Sequence, residues 1–142
     1  MNNSDLTKGR LQKEWEKTEA TLSGYHIHIY SAATPSNMEA AKKIAKELHI
    51  LFPNDTDTGS LVGVVGPHSK ENIAMDMTKE GFAKITAWLQ LNDTQSLSIL
   101  IHPETNNVIK DHLESAIWIG NPTPFNESFF ERVRKASLKL SF

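Results

Sequence analysis

The chain reads as an α+β sandwich of two split βαβ units, an antiparallel sheet with helices on one face, on three observations. Residues 25–30 alternate strictly, with Ile27 and Ile29 on one side and His26, His28 and Tyr30 on the other. Residues 72–77 and 97–103 alternate in the same way. Between these runs lie two segments whose apolar residues recur at helical spacing. The resulting order of strand, helix, strand, strand, helix, strand is that of a ferredoxin-like topology.

The elements follow in order. Residues 1–23 form an N-terminal helical extension, with Leu11, Trp15 and Leu22 at helical spacing on a charged segment. Residues 24–124 form the domain, and residues 125–142 a C-terminal helix and tail packed on it. After the first strand, Thr34-Pro35-Ser36 starts a helix. Its apolar stripe is Met38, Ala41, Ile44, Ala45 and Leu48, with Lys42, Lys43, Lys46 and Glu47 outside. Residues 49–63 open on a short strand and pass through the turn formers PNDTDTGS; LVGVVG adds another strand before Gly66-Pro67. Thr78 caps the next helix, which carries Phe82, Ile85 and Leu89 inward with Trp88 nearby and ends at Asn92-Asp93. The tail holds a loop or helix around KDHLESAIWIG, breaks at Pro122 and Pro124, and a short helix over 126–135. Alternation in SLKLSF predicts an edge strand, and the tail lies outside the repeating core.

Composition bounds the function. The 142 residues are one domain's worth, enough to bury roughly two thirds of the unfolded surface. With 39% hydrophobic and 23% charged residues the chain is globular in character. Fifteen Lys and Arg against seventeen Asp and Glu leave a net charge of -2 and no basic field, so nucleic acid is not an expected partner. No apolar run approaches the roughly twenty residues of a membrane span, and the start MNNSDLTKGR lacks a secretory apolar stretch. A cytoplasmic protein with no membrane partner is the expectation. Without cysteine there is no disulfide, thiolate nucleophile or Cys-based metal site, so any metal falls to histidine and carboxylate.

Six histidines supply that chemistry. In the split βαβ topology the first strand is central and antiparallel to the third and fourth. Its start therefore meets the end of the fourth, and His26 and His28 neighbour His102 on the face away from the helices. An H-x-H pair sets two rings on one face about 6 to 7 Å apart, and a third ring from the adjacent strand makes a metal patch of His26, His28 and His102. Asp76 projects onto the same face as a carboxylate option, and Glu71 and Asp111 are carboxylates of equal standing. His68 follows Gly66-Pro67 near the far end of the first strand and reaches the patch if its loop folds back. His112 follows Asp111, a pairing that can fix an imidazole tautomer. His49 suits a helix C-terminus. Tyr30 and Trp118 are candidates to line a pocket for a planar substrate. The bland reading of each is a solvated strand histidine, a surface Asp, a turn histidine, a surface dipeptide or a core aromatic. No phosphate-binding glycine loop, G-x-S-x-G, H-E-x-x-H or internal repeat is present.

The set YHIHIYS, VGPHS, WLQLN followed by LSILIHPET, then DH and AIWIGNPTP, in that order, resembles the DOPA 4,5-dioxygenase family of fungi and bacteria over about residues 24 to 124. The resemblance implies a ferredoxin-like α+β domain, associated as a homodimer. It also implies non-haem Fe(II) extradiol cleavage of a catechol by O2, in fungi opening DOPA toward betalain or muscaflavin pigments. The motif histidines carry over as His26, His28, His68, His102 and His112. Both lines together assign Fe(II), with Zn an option in isolated protein, to His26, His28 and His102. They assign proton transfer to His68 first and His112 second, and contact with a small catechol to Tyr30 and Trp118. Many relatives carry a further histidine where this chain has PNDTDTGS, and another where it has Ser115. A catalytically silent metal- or small-aromatic-binding module is the alternative, and a sheet face used for association is a third.

Overall fold

Alternation along β1 (Gly24–Tyr30) lets one face of the strand join an apolar core while the other carries polar rings, and it takes the centre of the sheet. The structure, a computed structural model, describes residues 2–31 and 38–140. The sheet has five strands in the order β2-β3-β1-β4-β5, with β2 at Ser60–Val62, β3 at Asn72–Met77, β4 at Ile99–Glu104 and β5 at Ile117–Ile119. Every neighbouring pair is antiparallel. Across β1 the register sets His26 opposite both Asp76 and His102, and Tyr30 opposite Asn72. The predicted α+β ferredoxin-like class is the observed one.

Two crossover helices, α2 (Glu39–Leu51) and α3 (Phe82–Leu91), cover the isoleucine face. Ile27, Ile29, Met75, Met77, Ile99 and Ile101 close the core with Ala41, Ile44 and Leu48 of α2 and Ile85 and Leu89 of α3. The expected helix start at Thr34-Pro35-Ser36 lies outside the described residues. The short strand expected from His49 is instead the last turn of α2, because the apolar stripe from Ala41 runs on to Leu48. Phe52 then closes the helix with its N–H on Leu48 O at 2.8 Å. Thr78 serves the turn before α3, accepting from Gly81 N at 3.0 Å and donating to Asp55 Oδ1 at 2.6 Å. At the front of the chain, α1 (Asn3–Glu19) is capped by Asn2 and buries none of its residues. None of the described helices is long and apolar enough to cross a membrane.

The tail differs from expectation in two places. The IWI of AIWIG pairs with β4 as β5, so this part of the tail extends the sheet rather than standing outside it. At the end, α5 (Glu127–Leu140) runs through the segment where an edge strand was expected; residues 141 and 142 lie outside the described residues. Extending a formed helix costs less than nucleating a lone strand, and a six-residue alternation is too short to oppose that. Between β4 and β5 sits α4 (Val108–His112).

Gly120 ends β5 at φ +77°, and a Cβ there would meet Leu97 O at 2.5 Å. The Gly120→Ala variant should lose about 1–3 kcal/mol of stability through left-handed backbone strain and that clash. Urea unfolding checks this, and loosening of β5 should show in the fluorescence of Trp118.

Candidate metal centre

Strand geometry alone sends His26, His28 and Tyr30 of β1, and Leu100, His102 and Glu104 of β4, to the face opposite the crossover helices. That face is not open, as the sequence suggested, but roofed. The Asp111 carboxylate accepts from Thr105 N at 2.9 Å and Thr105 Oγ1 at 2.6 Å, pinning α4 to the end of β4 and swinging His112 over the sheet. The expected Asp111–His112 pairing is therefore absent: Asp111 is engaged with Thr105, and His112 Nδ1 donates to Val108 O at 2.8 Å. Phe130 of α5 packs on Phe125 and on the His112 ring. The loop carrying His68 folds back after all. Asn126 N donates to Pro67 O at 2.8 Å and the Ser69 hydroxyl donates to Pro124 O, clamping this loop to the tail.

Five imidazoles gather as a result. The His28 ring lies 4.2 Å from His68 and 5.2 Å from His102, and the His102 ring lies 4.0 Å from His112. Donor atoms of His26, His28 and His102 lie within 4.8 Å of one another, and so do those of His28, His68 and His112. His28, His68, His102 and His112 are buried, while the His26 side chain is 35% exposed.

The hydrogen bonds settle which nitrogen carries the lone pair. Asn72 donates its amide to Lys70 O at 3.2 Å, which turns its Oδ1 toward His28 to accept from Nδ1 at 2.9 Å. His102 Nδ1 donates to Pro103 O at 2.9 Å. Both Nε2 atoms are then acceptors, and they face each other at 3.2 Å. Two lone pairs at that distance repel unless a cation lies beside both. Burial opposes a proton there: it lowers His28 to about 2, helped by the charge of His68, and His102 to about 3, helped by His112. Metal bonds of about 2.0–2.1 Å to two adjacent ligand positions set their nitrogens about 3.0–3.4 Å apart, so the pair is spaced as cis ligands are. Asn72 and the Pro103 carbonyl supply the outer hydrogen bonds that hold metal-bound imidazoles in place. The donor set fits a borderline divalent ion such as Fe(II) or Zn.

His26 sits differently. Its Nε2 is 2.8 Å from Asp76 Oδ1 and its Nδ1 is 3.0 Å from Glu104 Oε1. One carboxylate thus stands at each ring nitrogen. Asp76 reaches this ring as the face assignment suggested; Glu104 was missed, although its place two residues after His102 was a usable signal. Asn72 was missed in role, since nothing in the chain marks an amide as the partner of a ring 44 positions earlier. His68 Nδ1 is 2.7 Å from Tyr30 Oη, and burial lowers this imidazole to about 4, with His112 the next cause. Burial also lowers His112 and pushes the Tyr30 phenol up. Trp118 stacks on Tyr30 at 5.9 Å and 24°, and Phe125, also missed, lies 5.6 Å from Trp118. His49 stands apart at the end of α2, with Thr56 Oγ1 at 3.2 Å. Glu71 belongs to no cluster of metal-ligating groups among the described residues.

Fold and site define a class: a ferredoxin-like α+β protein with a buried polyhistidine centre of metal-ligating chemistry. The chain belongs to the Dopa 4,5-dioxygenase family, whose sequence profile matches residues 25–129. It is 29% identical over 117 residues to a DOPA 4,5-dioxygenase of Amanita muscaria, covering 76% of this chain and 50% of that protein. It thus spans about half the length of that relative. An uncharacterized 21.2 kDa protein of Botryotinia fuckeliana is 27% identical over 141 residues, covering 89% of this chain and 76% of that one. Among solved structures, a provisionally named dioxygenase of Nostoc punctiforme superposes with TM-score 0.62 at 26% identity, covering 80% of this chain and 96% of that one.

Four buried histidines with lowered pKa values make a pH prediction for the metal-free protein. Unfolded histidines protonate as pH falls through about 6.5, whereas the folded ones stay neutral until lower pH. Stability present above 6.5 should therefore fall as pH drops toward 4, by up to about 1.4 kcal/mol per pH unit for each histidine. Urea midpoints across this range test it; a flat profile contradicts the burial of neutral rings.

Proposed function

We infer that the chain is a non-haem iron extradiol dioxygenase that opens the ring of DOPA or a related small catechol with O2. The observation that carries the reading is the His28–His102 pair, whose Nε2 lone pairs face each other at 3.2 Å with both Nδ1 atoms donating outward. Family membership and the name of the Amanita muscaria relative support the substrate class.

His26, His28 and His102 hold the ion in this reading. His26 would give one ring nitrogen to the ion, and the carboxylate at its other nitrogen, Asp76 or Glu104, would orient the imidazole. When bound, ferrous iron supplies the redox coupling between an electron-rich ring and O2. The protein's own part is positioning and proton traffic. Trp118, Tyr30 and Phe125 offer flat walls for an aromatic ring. His68 Nδ1 lies 2.7 Å from Tyr30 Oη, and in the tautomer that donates from Nδ1 its Nε2 carries the lone pair that would take a catechol proton. Burial keeps His68 neutral at rest, so it is ready to accept. His68 would later return that proton to the ring-opened product, and His112, its Nδ1 held by Val108 O, is the second candidate for the same take-and-return role.

Anaerobic Fe(II) loading followed by an oxygen electrode and a panel of catechols tests the proposal. One iron per chain, oxygen uptake and a ring-opened product are expected. Tight metal binding with no uptake from any catechol would make the chain the silent metal-binding module. His28→Ala should lose the metal. His68→Gln should keep it and lower kcat by about 10²–10⁴-fold.

Asn72→Ala should weaken metal binding by about 10–100-fold without altering the ligands themselves. Competition with a coloured chelator reads this; unchanged affinity would remove Asn72 from the site.

A further inference from the structure

One ring of the five reaches the surface. The His26 side chain is 35% exposed, while His28, His68, His102 and His112 are buried. His26 opens onto a cleft of 390 Å³ whose wall carries Asp55, Asp57, Asp76 and Glu104 and no Lys or Arg. The four carboxylates are not equivalent. Asp55 is matched by Lys84, whose Nζ stands 2.6 Å from its Oδ2, and it also accepts from Thr78 Oγ1. Asp57 Oδ1 accepts from two backbone groups, Gly59 N at 2.9 Å and Asp76 N at 3.3 Å, and no ion pair among the described residues cancels its charge. Asp76 and Glu104 stand at the two ring nitrogens of His26, and Glu104 lies 3.8 Å from His102 Nδ1 as well.

An acidic cluster by itself is a solvated surface. This one has a destination behind it. The His28 and His102 rings are only 5% and 1% exposed, and their Nε2 lone pairs face each other at 3.2 Å with no hydrogen between them. One donor atom from each of His26, His28 and His102 lies within 4.8 Å of the other two. The register makes the path short, since His26 is opposite Asp76 on one side and His102 on the other. From mouth to interior the groups therefore run from carboxylate oxygen to imidazole nitrogen. Exposed oxygen ligands hold a hydrated divalent ion loosely, whereas converging imidazoles hold a borderline ion tightly, so this order suits capture outside and retention inside.

Resting on the metal-binding part of the reading above, we propose that this cleft is the entrance through which the divalent ion loads. Asp57 and Asp76 draw the ion in, Asp76 and Glu104 receive it at the mouth, and His26 passes it to His28 and His102. The cleft is a cation vestibule, separate from the aromatic walls of Tyr30 and Trp118 toward the other end of the face.

Rates of loading test this without any turnover. The metal-free full chain is mixed in a stopped-flow instrument with Co(II), an air-stable stand-in for Fe(II). Quenching of tryptophan fluorescence reports arrival, and a chase with excess EDTA reports escape. The association rate constant should fall about three- to fivefold in Asp57→Asn and about tenfold in Asp76→Asn, the effects of one charge lost at roughly 10 and 5 Å from the path of a divalent ion. Asp57→Asn keeps the oxygen that accepts from Gly59 and Asp76, and its escape rate should match the wild type, because a steering charge acts on arrival. Raising KCl from about 20 to about 500 mM should slow the wild type and narrow its lead over both variants. Glu131→Gln removes a charge from α5, beside the cavity that Phe125 and Phe130 line, and should load at the wild-type rate. Loading that ignores Asp57→Asn and Asp76→Asn, or that is slowed by Glu131→Gln alone, overturns the entrance while leaving the metal centre standing. A chain that takes up no Co(II) at all would overturn the metal centre and the entrance together.

Discussion

Pairing of β1 with β4 in the register that sets His26 opposite His102 is the constraint from which the rest of the site follows. Side chains alternate with period two, so a slip of β1 by one residue would carry His26 and His28 into the apolar layer and Ile27 and Ile29 out of it. The core holds the register in place: Ile27, Ile29, Ile99 and Ile101 have a buried surface to fill beneath α2 and α3. A hydrophobic preference on one face thereby fixes the metal-ligating chemistry on the other.

That chemistry is held in an environment that disfavours protons. The four inner histidines are buried, their pKa values are lowered, and two of them point lone pairs at each other. A divalent ion beside both nitrogens would accept the two lone pairs at once. The polarity also grades across the site. His26, flanked by Asp76 and Glu104, is the outermost ring, and His68 with Tyr30 lies toward the opposite end. Such a graded site can hold a metal near one end and a proton acceptor near the other.

Legibility in the sequence followed the range of the physics involved. Alternation at 25–30, 72–77 and 97–103 predicted three strands that are present, and their topology predicted the meeting of His26, His28 and His102. The short strand expected at His49 and the edge strand expected in SLKLSF failed where a helix already under way continued through an ambiguous segment. β5 was missed because three residues carry too little pattern to register, and its existence depends on the free edge of β4.

By itself the sequence determined the fold class and the layer to which each strand residue belongs, His26, His28 and His102 included, because these depend on local periodicity; His68 and His112 joined the set only through the family resemblance. Tertiary structure alone decided that the histidine face is roofed, that Asp111 serves Thr105 rather than His112, and that Asn72 orients His28. It also decided that the loop bearing His68 folds back onto the tail through Pro67 and Pro124. Each of these is a contact between residues distant in the chain or a choice among competing hydrogen-bond partners, and no local spacing encodes it.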